Sequence, residues 1–319
     1  MSMPAEMPKR PSASVTDAVR SAASGLEGMP LRSGHLTLRG LTLAWGARTY
    51  VMAILNATPD SFSGDGLAGD VDRAVDAARA AIDAGADILD VGGESTRPGA
   101  DPVTADAEMA RVVPVIAAIR ARFETPISID TSKAIVAAAA LDAGADMIND
   151  VWGLRADPDL AGLTARRGVP VVVMHNRMTP ANVEVAARIG PHYAGVSYAD
   201  LVADVCRELL GSVAIARRAG IAESHVILDP GLGFGKTPAQ NLELLDRAGA
   251  VRALGFPLLV GPSRKSFIGA VLDVPADQRT EGTAAAVAVA ITRGADIVRV
   301  HDVAVMARVA RMTDAIVRR

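Results

Sequence analysis

The sequence predicts an α/β protein, a (β/α)8 barrel with an N-terminal β-hairpin and a flexible N-terminal extension, and three observations carry that reading. An Ala-rich amphipathic stretch, a glycine and a short apolar run recur as one unit, most clearly at 77–84/Gly85/86–91, 134–143/Gly144/145–151 and 284–293/Gly294/295–300. The glycines suit the left-handed position that ends a helix. The apolar runs are short, β-branched and nearly continuous, as expected of parallel strands covered on both faces. About eight such units in roughly 270 residues favour a closed barrel over an open, doubly wound sheet.

Taken in order, residues 1–34 are rich in Ala, Ser, Pro and Met and lack the apolar centre of a signal peptide. They read as the flexible extension, with one weak helix over 15–26. Residues 35–43 alternate apolar and polar side chains about Gly40, which predicts a hairpin closing the bottom of the barrel. Strands are expected at 50–57, 88–93, 127–131, 147–151, 171–175, 226–230, 258–262 and 297–301, each followed by a helix, so that 35–319 forms one barrel domain.

Composition narrows the function classes. With 33 Lys+Arg against 36 Asp+Glu the net charge is -3, which supplies no basic footprint for nucleic acid. No apolar run approaches the ~20 residues that span a bilayer, so neither a nucleic-acid nor a membrane partner is expected. The single cysteine, Cys206, cannot form an internal disulfide, and a reducing, cytoplasmic setting follows as the expectation. Aromatics make up only 3%, so small aliphatics must fill the core. Three of the five Phe (Phe62, Phe234 and Phe267) fall in or beside glycine-rich or cationic loops, where a flat ligand would be held.

Barrel chemistry sits at the carboxyl ends of the strands, and a polar group closes every one of these runs. Asp130, Asn149 and Asp229 each follow an apolar strand and together offer acceptors plus one amide. That set fits the edge of an amino-substituted nitrogen heterocycle better than a phosphate; the competing reading of each is a cap on the following helix. Ser263-Arg264-Lys265 and Arg299-Val300-His301 bring cations to adjacent strands, with Arg299 and His301 on one face, either as an anion site or as a solvated basic rim.

The run from Asp229 to Thr237 is no P-loop, because Pro230 stands where a glycine is required, and its glycines at 231, 233 and 235 do not make G-x-G-x-x-G. It reads as a permissive loop that brings Phe234 and backbone N–H groups close to a ligand. The loops 56–66 and 93–99 are rich in Gly, Pro, Ser and Asp and offer oxygens for a hard cation and one arginine for an anion, or they are ordinary connections. His175 reads first as a satisfied structural histidine. No zinc-ligand spacing and no Ser–His–Asp constellation is readable.

These motifs together resemble the bacterial dihydropteroate synthase family over residues 35–319, through the stretches 56–66, 87–99, 127–133, 148–154, 174–175, 229–236, 263–269 and 299–303. The resemblance implies a transferase that condenses p-aminobenzoate with 6-hydroxymethyl-7,8-dihydropterin pyrophosphate in folate biosynthesis, giving 7,8-dihydropteroate and pyrophosphate. It implies that Asp130, Asn149, Asp229 and Lys265, with Met174 and Gly261, hold the pterin. Asn56, Thr96, Arg97, Arg299 and His301 would bind the pyrophosphate, and Mg2+ would be shared by Asn56 and Asp65. Phe62, Thr96, Arg97, Pro98, Phe234 and Ser266 would shape the p-aminobenzoate site, with Asp130, Lys265 and Arg299 nearest the chemistry. A homodimer is implied as well.

The sequence departs from the family in three places: Gly64 precedes Asp65, Pro262 precedes Ser-Arg-Lys, and Asn176-Arg-Met-Thr-Pro180 replaces a glycine-containing turn before a long connection. The rival readings are a methyltetrahydrofolate:corrinoid methyltransferase-like barrel, which shares the pterin-holding acids but has no need of Ser-Thr-Arg-Pro or Ser-Arg-Lys, and a catalytically degenerate pterin-binding paralogue. A Schiff-base aldolase using Lys265 is weaker, since Arg264 is the only visible device for lowering the lysine pKa.

Overall fold

The computed structural model describes residues 34–57, 67–95 (backbone only for 67–70), 101–178, 182–186, 190–194 and 196–318. Residues 1–33 of the expected extension, with its weak helix, and Phe62, Gly64, Asp65, Thr96, Arg97 and Pro98, lie outside the described residues.

The hairpin forms as expected from β1 (His35–Leu38) and β2 (Leu41–Ala44), antiparallel with Leu38 opposite Leu41. Its two-residue turn, Arg39-Gly40, has positive φ at both positions (44° and 79°), the twist that matches tightly joined strands. The wall follows as β3 (Tyr50–Asn56), β4 (Ile88–Gly92), β5 (Ile127–Asp130), β6 (Met147–Asp150) and β7 (Val171–Met174). After a two-stranded ribbon, β8 (Val183–Ala186) and β9 (Gly190–Tyr193), it resumes with β10 (Val226–Asp229), β11 (Leu259–Val260) and β12 (Ile297–Val300). Eight parallel strands pair in the order β10-β7-β6-β5-β4-β3-β12-β11, and a single parallel bridge, Leu228 to Leu258, joins the ends into a barrel.

Two expectations need correction. The seventh wall strand has two residues rather than the expected 258–262, because Pro257 and Pro262 flank it and proline has no N–H to add to the ladder. A helix does not follow β7 directly: the Val-Glu-Val-Ala alternation of β8 pairs with β9 before the helix Leu201–Ala219 begins. The repeated glycines behave as read, with φ of 102° at Gly85, 113° at Gly144 and 92° at Gly294.

Side-chain alternation along the strands sorts the barrel into layers. Outward residues such as Val51, Leu89, Ile129, Val171, Leu228 and Val298 pack against helix residues including Ala78, Ile116, Leu209 and Val287. Phe267 belongs to this outer core, so its place is scaffold rather than ligand loop. Inward residues at the strand starts (Tyr50, Met52, Ile88, Met147, Val172, Ile227, Leu259 and Ile297) form a separate apolar floor, sealed from below by Leu36, Leu38 and Leu43 of the hairpin. One layer higher the inward residues become polar, and this switch places the site.

Leu43 is fully buried in that seal. Leu43→Ala is expected to lower the free energy of unfolding by about 2–5 kcal/mol in urea titration; a change near zero would show that the hairpin does not plug the barrel.

Candidate active site

Above the floor, β12 turns the Arg299 side chain into the barrel. Its Nε donates to Asp90 Oδ2 at 2.6 Å and its Nη2 to Asp130 Oδ2 at 2.6 Å. Asn149 Nδ2 donates to the same Asp90 oxygen at 3.1 Å. Asp90, Asp130 and Asn149 are buried, on the adjacent strands β4, β5 and β6. Across the chamber, Asp229 Oδ1 accepts from Gly231 N at 2.7 Å. Lys265 Nζ donates to the Leu232 carbonyl and lies 4.7 Å from the centre of the Phe234 ring. Gly261 keeps the wall thin here: a Cβ on it would sit 3.7 Å from Arg299 Cβ and 3.9 Å from Lys265 Nζ.

None of Asp130, Asn149 and Asp229 caps a helix. The caps after β5, β6 and β10 are Lys133, Asp157 and Thr237. The three acceptors are therefore free of that duty and converge on the barrel interior, as the sequence reading required.

Burial sets the electrostatics. It pushes the Asp130 carboxyl up to about 7 against the pull of Arg299, with Asp90 adding to the rise. Burial raises Asp229 as well, opposed by Lys265 and by the Gly231 N–H. Lys265 is pushed down to about 8 by burial, with Asp229 opposing and Arg299 reinforcing the shift. Burial alone would lower Arg299 too, but Asp90 and Asp130 outweigh it and hold the guanidinium above its ordinary value. Acids raised and a lysine lowered in one buried chamber mark it as the candidate functional site.

The remaining sequence candidates divide. Phe234 packs with Met174 and Val151 beside Lys265. His301 Nδ1 lies 3.0 Å from Ser263 Oγ, joining the two cationic stretches at the rim. Arg264 does not join them: its guanidinium is held by both oxygens of Asp302. Asn56 ends β3 half-buried beside Gly92, and Ser266 opens the helix Ser266–Leu272. Among the described residues no group of three His, Cys, Asp or Glu could hold a metal ion; of the two magnesium ligands that the resemblance implies, Asn56 is described and Asp65 is not.

Two residues of the site escaped the sequence reading. Asp90 sits mid-strand in Ile-Leu-Asp-Val-Gly, where a carboxylate inside a buried run must face inward onto a cation. Lys236 is almost wholly buried under the loop 230–235, where Nζ donates to the Gly231 carbonyl at 2.8 Å and to the Phe234 carbonyl at 3.0 Å. Its third partner is His175 Nδ1 at 3.0 Å, whose Nε2 then donates to Glu208 Oε2, also at 3.0 Å. Three donors meet three acceptors, so His175 is the satisfied structural histidine expected. The loop presses close on this support, since a Cβ at Gly231 would lie 1.9 Å from the His175 carbonyl oxygen. At the base of loop 93–104, Lys133 Nζ bridges Glu94 and the buried Glu108, and Glu94 accepts from Val103 N at 3.0 Å.

Residues 52–301 match the family described as pterin binding enzyme. A dihydropteroate synthase of Clostridium beijerinckii is 48% identical over 275 residues, 86% of this chain and 96% of that protein. The crystal structure of a dihydropteroate synthase from Clostridium difficile, obtained in the presence of pteroic acid, superposes with a TM-score of 0.79 at 44% identity, covering 86% of this chain and 99% of that one. The Xanthomonas albilineans dihydropteroate synthase with 4-aminobenzoic acid gives a TM-score of 0.80 at 40% identity, covering 89% and 98%. A closed parallel barrel, a polar chamber at its carboxyl end and relatives matched over nearly their whole length agree: the chain belongs to the pterin-binding enzymes and, among them, to the dihydropteroate synthase family.

Proposed function

We propose that this barrel joins p-aminobenzoate to 6-hydroxymethyl-7,8-dihydropterin pyrophosphate, releasing pyrophosphate and forming 7,8-dihydropteroate. The observation that carries the proposal is the convergence of Asp130, Asn149, Asp229, Lys265 and Arg299 in one buried chamber. The amino and ring N–H groups of the pterin match the carboxylates of Asp130 and Asp229. The Asn149 amide and the Lys265 ammonium match its acceptor atoms. Met174 and Gly261 line the same chamber beside these groups.

In the reaction, the aniline nitrogen attacks the pterin methylene carbon, the bond from that carbon to the pyrophosphate oxygen breaks, and the nitrogen loses a proton. The dihydropterin is electron-rich, so bond breaking runs ahead of bond making. The protein's task is then to hold charge and position rather than to supply a nucleophile. Arg299 and Arg97, with His301 when protonated, offset the charge of the departing anion and Asn56 and Thr96 donate hydrogen bonds to it, while Phe62, Thr96, Arg97, Pro98, Phe234 and Ser266 hold p-aminobenzoate. Mg2+ fits this donor set, because it is bound by one or two protein oxygens plus substrate phosphates. Asn56 and Asp65 would hold it, and it would add positive charge at the leaving group.

The proposal extends to a cytoplasmic homodimer. It is supported by the exposed apolar side chains Val289, Met312 and Ile316 on the helices Thr280–Thr292 and Val303–Val317. It is also consistent with the absence, among the described residues, of any helix long and apolar enough to cross a membrane.

Pyrophosphate release from dihydropterin pyrophosphate with p-aminobenzoate and Mg2+ is the direct test, and release no greater than that of Lys265→Ala would sink the reading. Arg299→Ala is expected to weaken binding of the pyrophosphate ester by about tenfold more than that of a free pterin; equal losses would refute the division between ring and leaving group. Free-pterin affinity, followed by calorimetry, should rise as pH passes about 7 and Asp130 becomes a carboxylate. It should fall past about 8 as Lys265 loses its proton, and a flat profile between pH 6 and 9 would contradict these roles.

A further inference from the structure

Asp90 has no task in the scheme above, yet it is the most deeply placed carboxylate of the chamber. It is fully buried on β4, and its Oδ2 carries both Arg299 Nε and Asn149 Nδ2. Among the described residues its Oδ1 has no hydrogen-bond partner, and neither has the buried Ser128 Oγ in register with it on β5. A buried carboxylate with half of its acceptor capacity unfilled is expensive to keep, and the Arg299 guanidinium is the cation it touches. Arg299 is thus held at two points of one plane, Nε on Asp90 and Nη2 on Asp130. The two points differ in fate, because Asp130 is a ring-binding acid in the proposed function and Asp90 is not.

We infer that Asp90 is a positioning residue for Arg299: when the pterin ring takes the oxygens of Asp130, Asp90 keeps Nε, and the planar guanidinium stays in the chamber with its terminal nitrogens turned to the departing pyrophosphate. The inference rests on the proposed function and adds to it the device that prevents the released arginine from swinging away. A side chain fixed at one edge of a rigid fork presents the other edge in a defined direction. A lone arginine facing a single carboxylate that substrate displaces would not.

The test is Asp90→Asn, which preserves size and one oxygen while removing the charge. The kcat for pyrophosphate release should fall about tenfold, with the KM for p-aminobenzoate changed less than about twofold. The acid limb of kcat/KM for the pterin ester should move to lower pH. The charged groups acting on Asp130 are Arg299, Asp90, Glu108 and Asp150, and of the acids that favour its protonated form Asp90 acts most strongly. Removing that charge lets Asp130 ionise sooner, and an unchanged urea unfolding midpoint separates this from a loosening of the fold, which would wet Asp130 and lower its pKa as well. An unchanged kcat with an unmoved acid limb would overturn the inference while wild-type turnover still stood. Absent turnover in the wild-type protein would instead overturn the functional reading and this inference with it. If Asp90→Asn does not fold, a crystal structure of the wild-type protein with a free pterin decides. Arg299 Nε still on Asp90 with Nη2 released from Asp130 supports the inference, and Arg299 gone from Asp90 overturns it.

Discussion

The guanidinium of Arg299, held between two carboxylates inside a closed barrel, is the interaction on which the upper half of this structure depends. Two acids on neighbouring strands could not share a water-poor interior without a cation between them. The cation in turn is stabilised by both acids, which outweigh the lowering that burial alone would cause. The arrangement spans β4, β5 and β12, so it ties one side of the barrel together at the level where the apolar floor ends. Its neighbours meet at the same place: Asn149 leans on the same Asp90 oxygen, and Gly261 lies beside both Arg299 and Lys265.

The floor and the chamber follow from one simple rule of strand geometry. Four wall strands carry an inward apolar residue at or near their start and an inward polar residue two positions later: Ile88 and Asp90, Met147 and Asn149, Ile227 and Asp229, and Ile297 and Arg299. The outward positions between them stay aliphatic throughout. A strand that looks uniformly hydrophobic in sequence is therefore amphipathic along its length on its inner face. The scarcity of aromatics fits, because Val, Ile, Leu, Met and Ala suffice for both the floor and the outer shell.

Much of this was readable before any coordinates. The eight wall strands appear as short apolar runs and the hairpin as an alternating stretch, with Asp130, Asn149 and Asp229 following apolar residues and Lys265 and Arg299 in cationic motifs at the carboxyl ends of the last two strands. What was not readable has a common physical reason. Asp90 lies inside its run rather than at the end, so a reading of strand termini passes over it. Lys236 is satisfied by two backbone carbonyls and a neutral imidazole, partners that leave no trace of charge complementarity in the sequence. The β8–β9 ribbon rests on four-residue alternations too short to stand out within a long connection. Phe267 lies beside the cationic loop in sequence, but the helical turn that follows directs it into the outer core.

The seam of the barrel has its own consequence. Between β10 and β11 the wall is joined by a single bridge next to a strand of two residues bounded by prolines. With so few backbone hydrogen bonds to break, local opening costs least along this line. Asp229 ends the strand on one side of the seam, and Gly261 and Lys265 follow the strand on the other. In the proposed function a pterin held by Asp229 and Lys265 together would span the gap that the backbone leaves nearly unstitched, and the ligand would then act as the missing rung of the barrel.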